Sequence, residues 1–146
     1  MRRLAGSRTA CPALVLAAAL LAASARPATA QTAQEEPPRT TLDGVYTSEQ
    51  AARGRQLYQR TCSRCHALDW YTGDVVRAWE GAPLFALFEV ISTKMPEDNP
   101  GSLRRTEYVD MLAYILELNG MPAGDRELST GASRLRAILF RWRDEP

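Results

Sequence analysis

Apolar residues recur at helical spacing in four stretches of the chain, with polar residues between them. The first stretch begins near Thr47, where Thr47 or Ser48 can accept hydrogen bonds from the amides of a first helical turn. Its apolar face holds Gly54, Leu57, Tyr58 and Thr61, and its polar face holds Glu49, Arg53, Gln56 and Arg60. The pattern predicts an amphipathic helix that runs directly into Cys62.

Two further helices are predicted in the second half of the chain. A helix over 83–92 can start at Pro83, because proline suits the first helical position. Its apolar stripe is Leu84, Leu87, Phe88 and Ile91, with Phe85 beside it. A helix over 105–118 can end at Asn119-Gly120, which can supply a left-handed residue. In that helix we expect Tyr108, Met111, Leu112, Ile115 and Leu118 to face inward, and Glu107, Asp110, Tyr114 and Glu117 to face outward.

The fourth stretch is the segment SRLRAILFRW, within a C-terminal amphipathic extension over 129–146. One face of this segment carries Leu135, Ile138, Leu139 and Trp142. No segment shows a convincing alternation of apolar and polar residues, and no internal repeat is present in the sequence. The chain is therefore predicted to be all-α, with its main domain over 45–128.

The N-terminal segment has the parts of an export signal. These parts are a basic start with Arg2, Arg3 and Arg8, an apolar run over 13–25, and the small-residue cleavage site Ala28-Thr29-Ala30. The apolar run is shorter than the roughly 20 residues that cross a bilayer, although an uncleaved signal anchor is the alternative. We expect a signal peptide over 1–30, cleaved near Ala30, then a flexible lead-in over 31–44. Export predicts a periplasmic location.

Loss of the signal peptide changes the charge and the cysteine content of the chain. It would remove four of the 18 basic residues and no acid, which leaves a net charge of about −3. This charge is not typical of a nucleic-acid-binding protein, and we expect neither nucleic acid nor membrane as a partner. The mature chain keeps only Cys62 and Cys65. Because a free thiol pair is at risk of oxidation after export, we expect these cysteines to be occupied.

Residues 62–66, Cys-Ser-Arg-Cys-His, have the C-x-x-C-H pattern of haem attachment. Cysteines three apart can form thioethers with the two vinyl groups on one edge of a porphyrin, and the next residue can offer its imidazole to the iron. A zinc site usually needs four N or S ligands, a thioredoxin-type pair follows a strand, and a disulfide at this spacing would be strained. We therefore predict one haem c, with thioethers at Cys62 and Cys65 and with His66 as the proximal ligand.

The second axial ligand must come from elsewhere, because His66 is the only histidine of the chain. The position is then filled by a methionine, a lysine or water, or is open. Met111 lies on a predicted inner helix face, and Met121 follows the helix terminator. Met95 lies in a loop between two apolar helices, where it can reach a haem without breaking a helix. We predict Met95 as the distal ligand, with Lys94 as a weaker alternative.

Apolar side chains near the motif are candidates for the walls of a haem pocket. The second predicted helix offers Leu84, Phe85, Leu87 and Phe88, and the segment after His66 offers Trp70, Tyr71 and Trp79. From these we predict Trp79, Leu84, Phe85 and Phe88 as pocket residues. Ordinary core packing is the alternative for each of them.

The helix that enters the C-x-x-C-H motif, the loop Lys94-Met95-Pro96 and the terminal helix YVDMLAYILELNG together resemble the class I c-type cytochromes. The phrases DGVYTSEQAARGRQLYQRTC and MPEDNPGSL…YILELNGMPAG more specifically resemble single-haem periplasmic cytochromes. Those cytochromes are found with, or fused to, quinoprotein (PQQ-dependent) alcohol dehydrogenases. The resemblance covers about Asp43 to Leu128.

The resemblance implies a small all-α fold whose first and last helices cross beside the haem, with Gly54 and Tyr58 against the last helix around Tyr108 to Leu112. It also implies a monomeric one-electron carrier rather than an enzyme. Such a carrier would accept electrons from a quinoprotein dehydrogenase and pass them to a terminal oxidase or another cytochrome. The alternatives are a haem-bearing subunit of a larger dehydrogenase complex, and a haem sensor or enzyme with an open sixth site.

The sequence departs from the family pattern in two places. The family usually has a proline after the histidine, whose carbonyl orients the imidazole, but none occurs between His66 and Pro83. The family also tends to cap its last helix with Ser or Thr followed by acids. Here Arg104 and Arg105 occupy that region and oppose the helix dipole, so we expect Thr106 to be the cap. Arg104 and Arg105 either dock an acidic partner or are a solvated face. In the C-terminal extension, Arg134, Arg136, Arg141 and Arg143 flank the apolar stripe, which either packs on the domain or binds a partner or a membrane surface.

Overall fold

The computed structural model describes residues 38–143, which leaves the predicted signal peptide and residues 31–37 of the lead-in outside the described part. The α-helices are α1 (Ser48–Leu57), α2 (Asp74–Arg77), α3 (Leu84–Lys94), α4 (Arg105–Leu118) and α5 (Ala132–Arg136). A π-helical turn covers Tyr58–Cys62, a 3₁₀ turn covers Leu68–Tyr71, and two short strands are β1 (Arg39–Thr40) and β2 (Ile138–Leu139). The described residues are thus mostly helical, and the prediction of an all-α fold is confirmed.

The first helix begins where the sequence predicts it. The Thr47 hydroxyl accepts a hydrogen bond from the Gln50 backbone N–H at 3.2 Å, which satisfies one amide of the first turn. After Leu57 the chain does not leave the helical path but widens into the π-helical turn that ends at Cys62. The helix therefore delivers the cysteine motif directly, as predicted.

Helix α1 packs against α4 through Gly54. A Cβ atom at this position would collide with the backbone carbonyl of Asp110 and approach the Tyr114 Cβ to 2.8 Å. Glycine is costly inside a helix, and this close backbone approach explains why it stands here. The Tyr58 and Tyr114 rings also meet, with 5.9 Å between their centroids. The predicted contact between the first and last helices is confirmed, although it is centred two residues later, at Asp110 to Tyr114.

Helix α4 spans Arg105–Leu118, as predicted, but its start and its outer face differ from the prediction. Arg104, not Thr106, is the N-cap, and its backbone N–H donates to the Glu107 carboxylate at 3.0 Å. The Arg104 side chain also donates to that carboxylate and holds the pKa of Glu107 below its usual value. A carboxylate in the first turn thus offsets the unfavourable arginines.

Half of the expected outward face of α4 is buried. Glu107 and Glu117 are half-buried, whereas Asp110 is only 8% exposed and Tyr114 is buried against α1. Asp110 accepts two hydrogen bonds from the Arg53 guanidinium at 3.0 Å, and that guanidinium also reaches Glu127 at 2.8 Å. Helix α1 therefore covers this side of α4. The chain after α4 packs on α1 in turn, since the Gln50 amide exchanges hydrogen bonds with both backbone groups of Leu128.

The C-terminal extension differs from the predicted amphipathic helix. Helix α5 ends at Arg136, and the chain continues as β2, which pairs in parallel with β1. Leu135, Ile138 and Phe140 all lie in the hydrophobic core. The segment therefore belongs to the same core as residues 45–128. The prediction that residues 133–142 form one amphipathic helix was wrong.

The end of the lead-in is ordered rather than flexible. Arg39 and Thr40 pair with Ile138 and Leu139. Thr41 is fully buried, and its hydroxyl donates to the Arg141 carbonyl at 2.7 Å and accepts from the Arg141 N–H at 2.9 Å. This pairing joins segments about 100 residues apart, which a local pattern cannot predict. Among residues 38–143, no helix is both long and apolar enough to cross a membrane.

Candidate haem-binding cavity

A cavity of about 350 Å³ lies between the cysteine motif and the loop that follows α3. Its volume falls within the roughly 300–1,000 Å³ that is usual for small-molecule and cofactor sites. Its lining is Leu57, Thr61, Cys62, Arg64, Cys65, His66, Tyr71, Ile91, Met95, Pro96, Glu97, Asp98, Leu103, Tyr108 and Met111. The walls are aliphatic and aromatic side chains, and the charged residues Arg64 and Asp98 form an exposed ion pair at 3.1 Å.

The cysteine motif forms one wall of the cavity. The Cys62 carbonyl accepts hydrogen bonds from the Cys65 N–H at 3.1 Å and from the His66 N–H at 3.0 Å. These bonds close a tight turn directly after the π-helical segment. As a result, the two sulfurs and the imidazole line the same cavity. The spacing of the motif thus produces the juxtaposition that haem attachment needs.

Cys62 does not have the character of a redox-active cysteine. Cys62 and Cys65 are both free in the structure, with Cys62 half-buried and Cys65 exposed. Burial raises the pKa of the Cys62 thiol, and the neighbouring Tyr71 hydroxyl and Arg64 offset this only in part. A redox-active cysteine needs a lowered pKa, because the thiolate is the nucleophile. The structure therefore disfavours a thioredoxin-type pair here. A second reason is that the cysteine motif follows a helix, whereas a thioredoxin-type pair follows a strand.

Aromatic side chains surround His66 in place of the proline that the sequence lacks. The Trp70 ring lies 5.2 Å from the imidazole and the Tyr71 ring lies 5.9 Å from it, edge to face. The Tyr58 hydroxyl donates to the His66 carbonyl at 3.0 Å. The Tyr58 bond holds the His66 backbone, and the two aromatic rings pack beside the imidazole, although Trp70 itself is 59% exposed.

Asn119 fastens the segment after His66 to the end of α4. Its side-chain amide donates to the Tyr71 carbonyl at 2.7 Å, and its side-chain carbonyl accepts from the Gly73 N–H at 3.3 Å. The sequence marked Asn119 only as a helix terminator, and the left-handed residue at that end is Gly120. Tyr58 and Asn119 therefore help to position His66 and the segment after it, a role that the sequence analysis missed. For Tyr58, the only signal in the sequence was its place on the predicted inner face of the first helix.

The loop after α3 forms the opposite wall. Met95 is the C-cap of that helix and lines the cavity. Neither Lys94 nor Met121 lines it. The Met121 carbonyl instead accepts a hydrogen bond from the buried Tyr46 hydroxyl. Met111 of α4 also lines the cavity and is buried. The structure thus brings two methionines to the site, and Met95 is the one carried by a loop.

The predicted pocket residues lie elsewhere. Trp79, Leu84, Phe85 and Phe88 do not line the cavity. Leu84 is fully buried in the core, Phe85 lies under the Arg136 guanidinium, and Phe88 lies under that of Arg105. The apolar stripe of α3 faces α4 and the C-terminal segment, so only its last member, Ile91, reaches the cavity. The apolar wall is completed by Leu57 and Met111, which were predicted to lie on inner helix faces, and by Leu103, for which no prediction was made.

Contacts within the chain account for most of the arginines considered as docking residues. Arg104 pairs with Glu107, and Arg105 donates to the Thr130 carbonyl. In the C-terminal segment, Arg136 covers Phe85 and Arg141 pairs with Glu80 at 2.9 Å. These contacts favour a structural explanation for the four arginines.

The donor set of the cavity fits haem c. Two thiols, one imidazole and a thioether are the groups that attach and ligate such a haem, and here they line one largely apolar space. Zinc fits poorly, since residues 38–143 contain no group of three or more His, Cys, Asp or Glu side chains that could hold a metal ion.

Comparison with known families agrees with this geometry. Residues 49–115 match the family model described as cytochrome C oxidase, cbb3-type, subunit III. The matched span contains α1, the cysteine motif, the Met95 loop and most of α4. The match supports a class I c-type cytochrome, and with it haem-based electron transfer in a small all-α fold. Neither the curated proteins nor the solved structures gave a match.

Proposed function

We propose that this protein is a periplasmic one-electron carrier that holds a single covalent haem c with His66 and Met95 as axial ligands. One observation carries the proposal: the two thiols of the C-x-x-C-H motif, its imidazole and the thioether of a distant loop line one cavity. The charge of the mature chain, about −3, suits a protein that binds other proteins rather than nucleic acid.

The cysteines, the two ligands and the apolar residues of the cavity have different parts in this function. When bound, the haem supplies an iron that alternates between the ferric and ferrous states. Cys62 and Cys65 hold the group in place, His66 ligates the iron from the motif side, and Met95 ligates it from the loop side. Leu57, Leu103 and the other apolar walls exclude water from the iron.

The ligand set and the walls favour a raised reduction potential. A thioether is a soft ligand that favours ferrous iron, so His/Met ligation raises the potential of a haem. Apolar walls act in the same direction, because they disfavour the extra positive charge of the ferric state. Cys65 is exposed, which makes the edge of the cavity beside it the proposed port for electrons.

The donor proposed for this carrier is a quinoprotein dehydrogenase, and the acceptor is a terminal oxidase or another cytochrome. The proposal rests on the resemblance of two stretches, Asp43 to Cys62 and Met95 to Gly124, to cytochromes found with such dehydrogenases. Genes for a quinoprotein dehydrogenase beside the gene for this chain would add support.

The optical spectrum of the purified protein tests the carrier proposal. We expect the oxidised protein to show a methionine–iron charge-transfer band, and the reduced protein to bind carbon monoxide slowly, because Met95 occupies the sixth position. An open-site haem enzyme or sensor would lack the band and bind carbon monoxide rapidly. That result, obtained with the unmodified chain, would contradict the proposal.

A second candidate is a haem-bearing subunit that works only inside a larger redox complex. The family that residues 49–115 match is described as a subunit of an oxidase, which favours this candidate. Affinity purification from the native cell in mild detergent separates the two candidates. A free carrier is expected to elute alone at a size near its 16.2 kDa chain or below, whereas a subunit elutes with fixed amounts of other chains. Stoichiometric association would replace the free carrier with this second candidate.

A further inference from the structure

A single phenol holds both ends of the loop that carries the proposed distal ligand. The Tyr108 hydroxyl donates to the Met95 carbonyl at 2.7 Å and accepts from the Leu103 backbone N–H at 3.4 Å. Tyr108 belongs to α4, lines the cavity and is buried. The Tyr108 hydroxyl thus ties the loop over 95–103 to α4, the helix that packs on α1.

The other contacts of this loop do not replace that bond. The Gly101 N–H donates to the Met95 carbonyl at 3.3 Å, but this contact lies within the loop and would move with it. Asp98 pairs with Arg64 of the cysteine motif, but both side chains are more than half exposed, and exposed ion pairs contribute little. The Met95 N–H also donates to the Ile91 carbonyl of α3 at 3.2 Å, which holds the start of the loop but not the Met95 carbonyl. The bond from Tyr108 is therefore the part-buried side-chain link between the Met95 carbonyl and α4.

We infer that Tyr108 is a positioning residue for Met95: its hydroxyl holds the Met95 carbonyl so that the thioether stays at the iron. The inference rests on the proposed function, since it assigns a role toward the distal ligand of that haem. Without the hydroxyl, Met95 would leave the iron more often, and the sixth position would be accessible for a larger fraction of the time.

Tyr108→Phe tests the inference, because it removes the hydroxyl and keeps the ring that packs edge to face on Phe88. Loss of the part-buried bond to the Met95 carbonyl shifts an opening equilibrium by roughly three- to tenfold, and loss of the longer bond from the Leu103 N–H acts in the same direction. If carbon monoxide binds only after Met95 leaves, we expect its association with the reduced protein to accelerate by the same factor. The charge-transfer band of the oxidised variant should also disappear at a lower denaturant concentration than the helical signal in circular dichroism.

Tyr46→Phe is the matched control. The Tyr46 hydroxyl also donates to a methionine carbonyl at 2.7 Å, but that methionine is Met121, which lies outside the cavity. This variant should lose a similar amount of global stability and keep the carbon monoxide rate of the unmodified protein. Equal acceleration in both variants would show a general loss of stability, and an unchanged rate in Tyr108→Phe would show no role at the ligand. Either result overturns the inference.

The charge-transfer band of the unmodified protein tests the proposed function separately from the role of Tyr108. If that protein lacks the charge-transfer band, Met95 is not a ligand, and the inference about Tyr108 is overturned together with His/Met ligation. If the band is present, only the difference between the two tyrosine variants decides the role of Tyr108.

Discussion

Replacement of both Cys62 and Cys65 by alanine is expected to abolish covalent haem attachment. Both cysteines line the cavity beside His66. Without a thioether, a haem could be held only by ligation and apolar contact, so it should be lost under denaturing conditions. Haem staining after denaturing electrophoresis, normalised to the amount of protein, should fall to background for the double variant and be reduced for each single variant.

Ser63→Ala is the matched control for the cysteine variants. Ser63 lies inside the motif, but its hydroxyl only donates to the Gln59 carbonyl at 3.0 Å. We expect this variant to keep its full covalent haem content, apart from any small loss of stability in the turn. Undiminished staining of the double cysteine variant would refute the covalent attachment and, with it, the c-type assignment.

The cysteine motif and the helix that leads into it were predictable from the sequence because every signal for them is local. The motif spans five residues, and the helix follows from a capping threonine and an apolar face. Gly54 gave a further local signal, since a glycine inside a helix indicates a close approach of another backbone. The end of α4 was also predicted, because its apolar period is long and ends at Asn119-Gly120.

The walls of the cavity were not predictable in the same way. An apolar stripe shows that a face of α3 is buried, but it does not show whether a haem or another helix covers it. Here α4 and the C-terminal segment cover that face, so Leu84 and Phe88 are core residues and only Ile91 reaches the site. The hydrogen bond from Tyr108 to Met95 is equally invisible in the sequence, because it depends on how α3 and α4 are packed.

Met95→Ala is expected to lower the reduction potential by more than about 100 mV, since the identity of the axial ligands sets haem potentials over a range of about 0.8 V. Loss of the thioether removes a ligand that favours ferrous iron and leaves the sixth position open. The charge-transfer band should vanish from the oxidised protein, and the reduced protein should bind carbon monoxide rapidly. A redox titration followed by carbon monoxide mixing measures both effects on one preparation.

Met111→Leu and Met121→Ala make this experiment specific for the ligand. Met111 lines the same cavity and is the rival that the structure supplies, whereas Met121 lies outside it. Leucine fills nearly the same volume as methionine, so Met111→Leu should cost less than about 1.5 kcal/mol of stability and leave the charge-transfer band intact. Loss of the band in Met111→Leu but not in Met95→Ala would assign the distal position to the helix and refute the choice of the loop. Because Met111 lies on α4, such a result would also remove the reason for fastening the 95–103 loop to Tyr108.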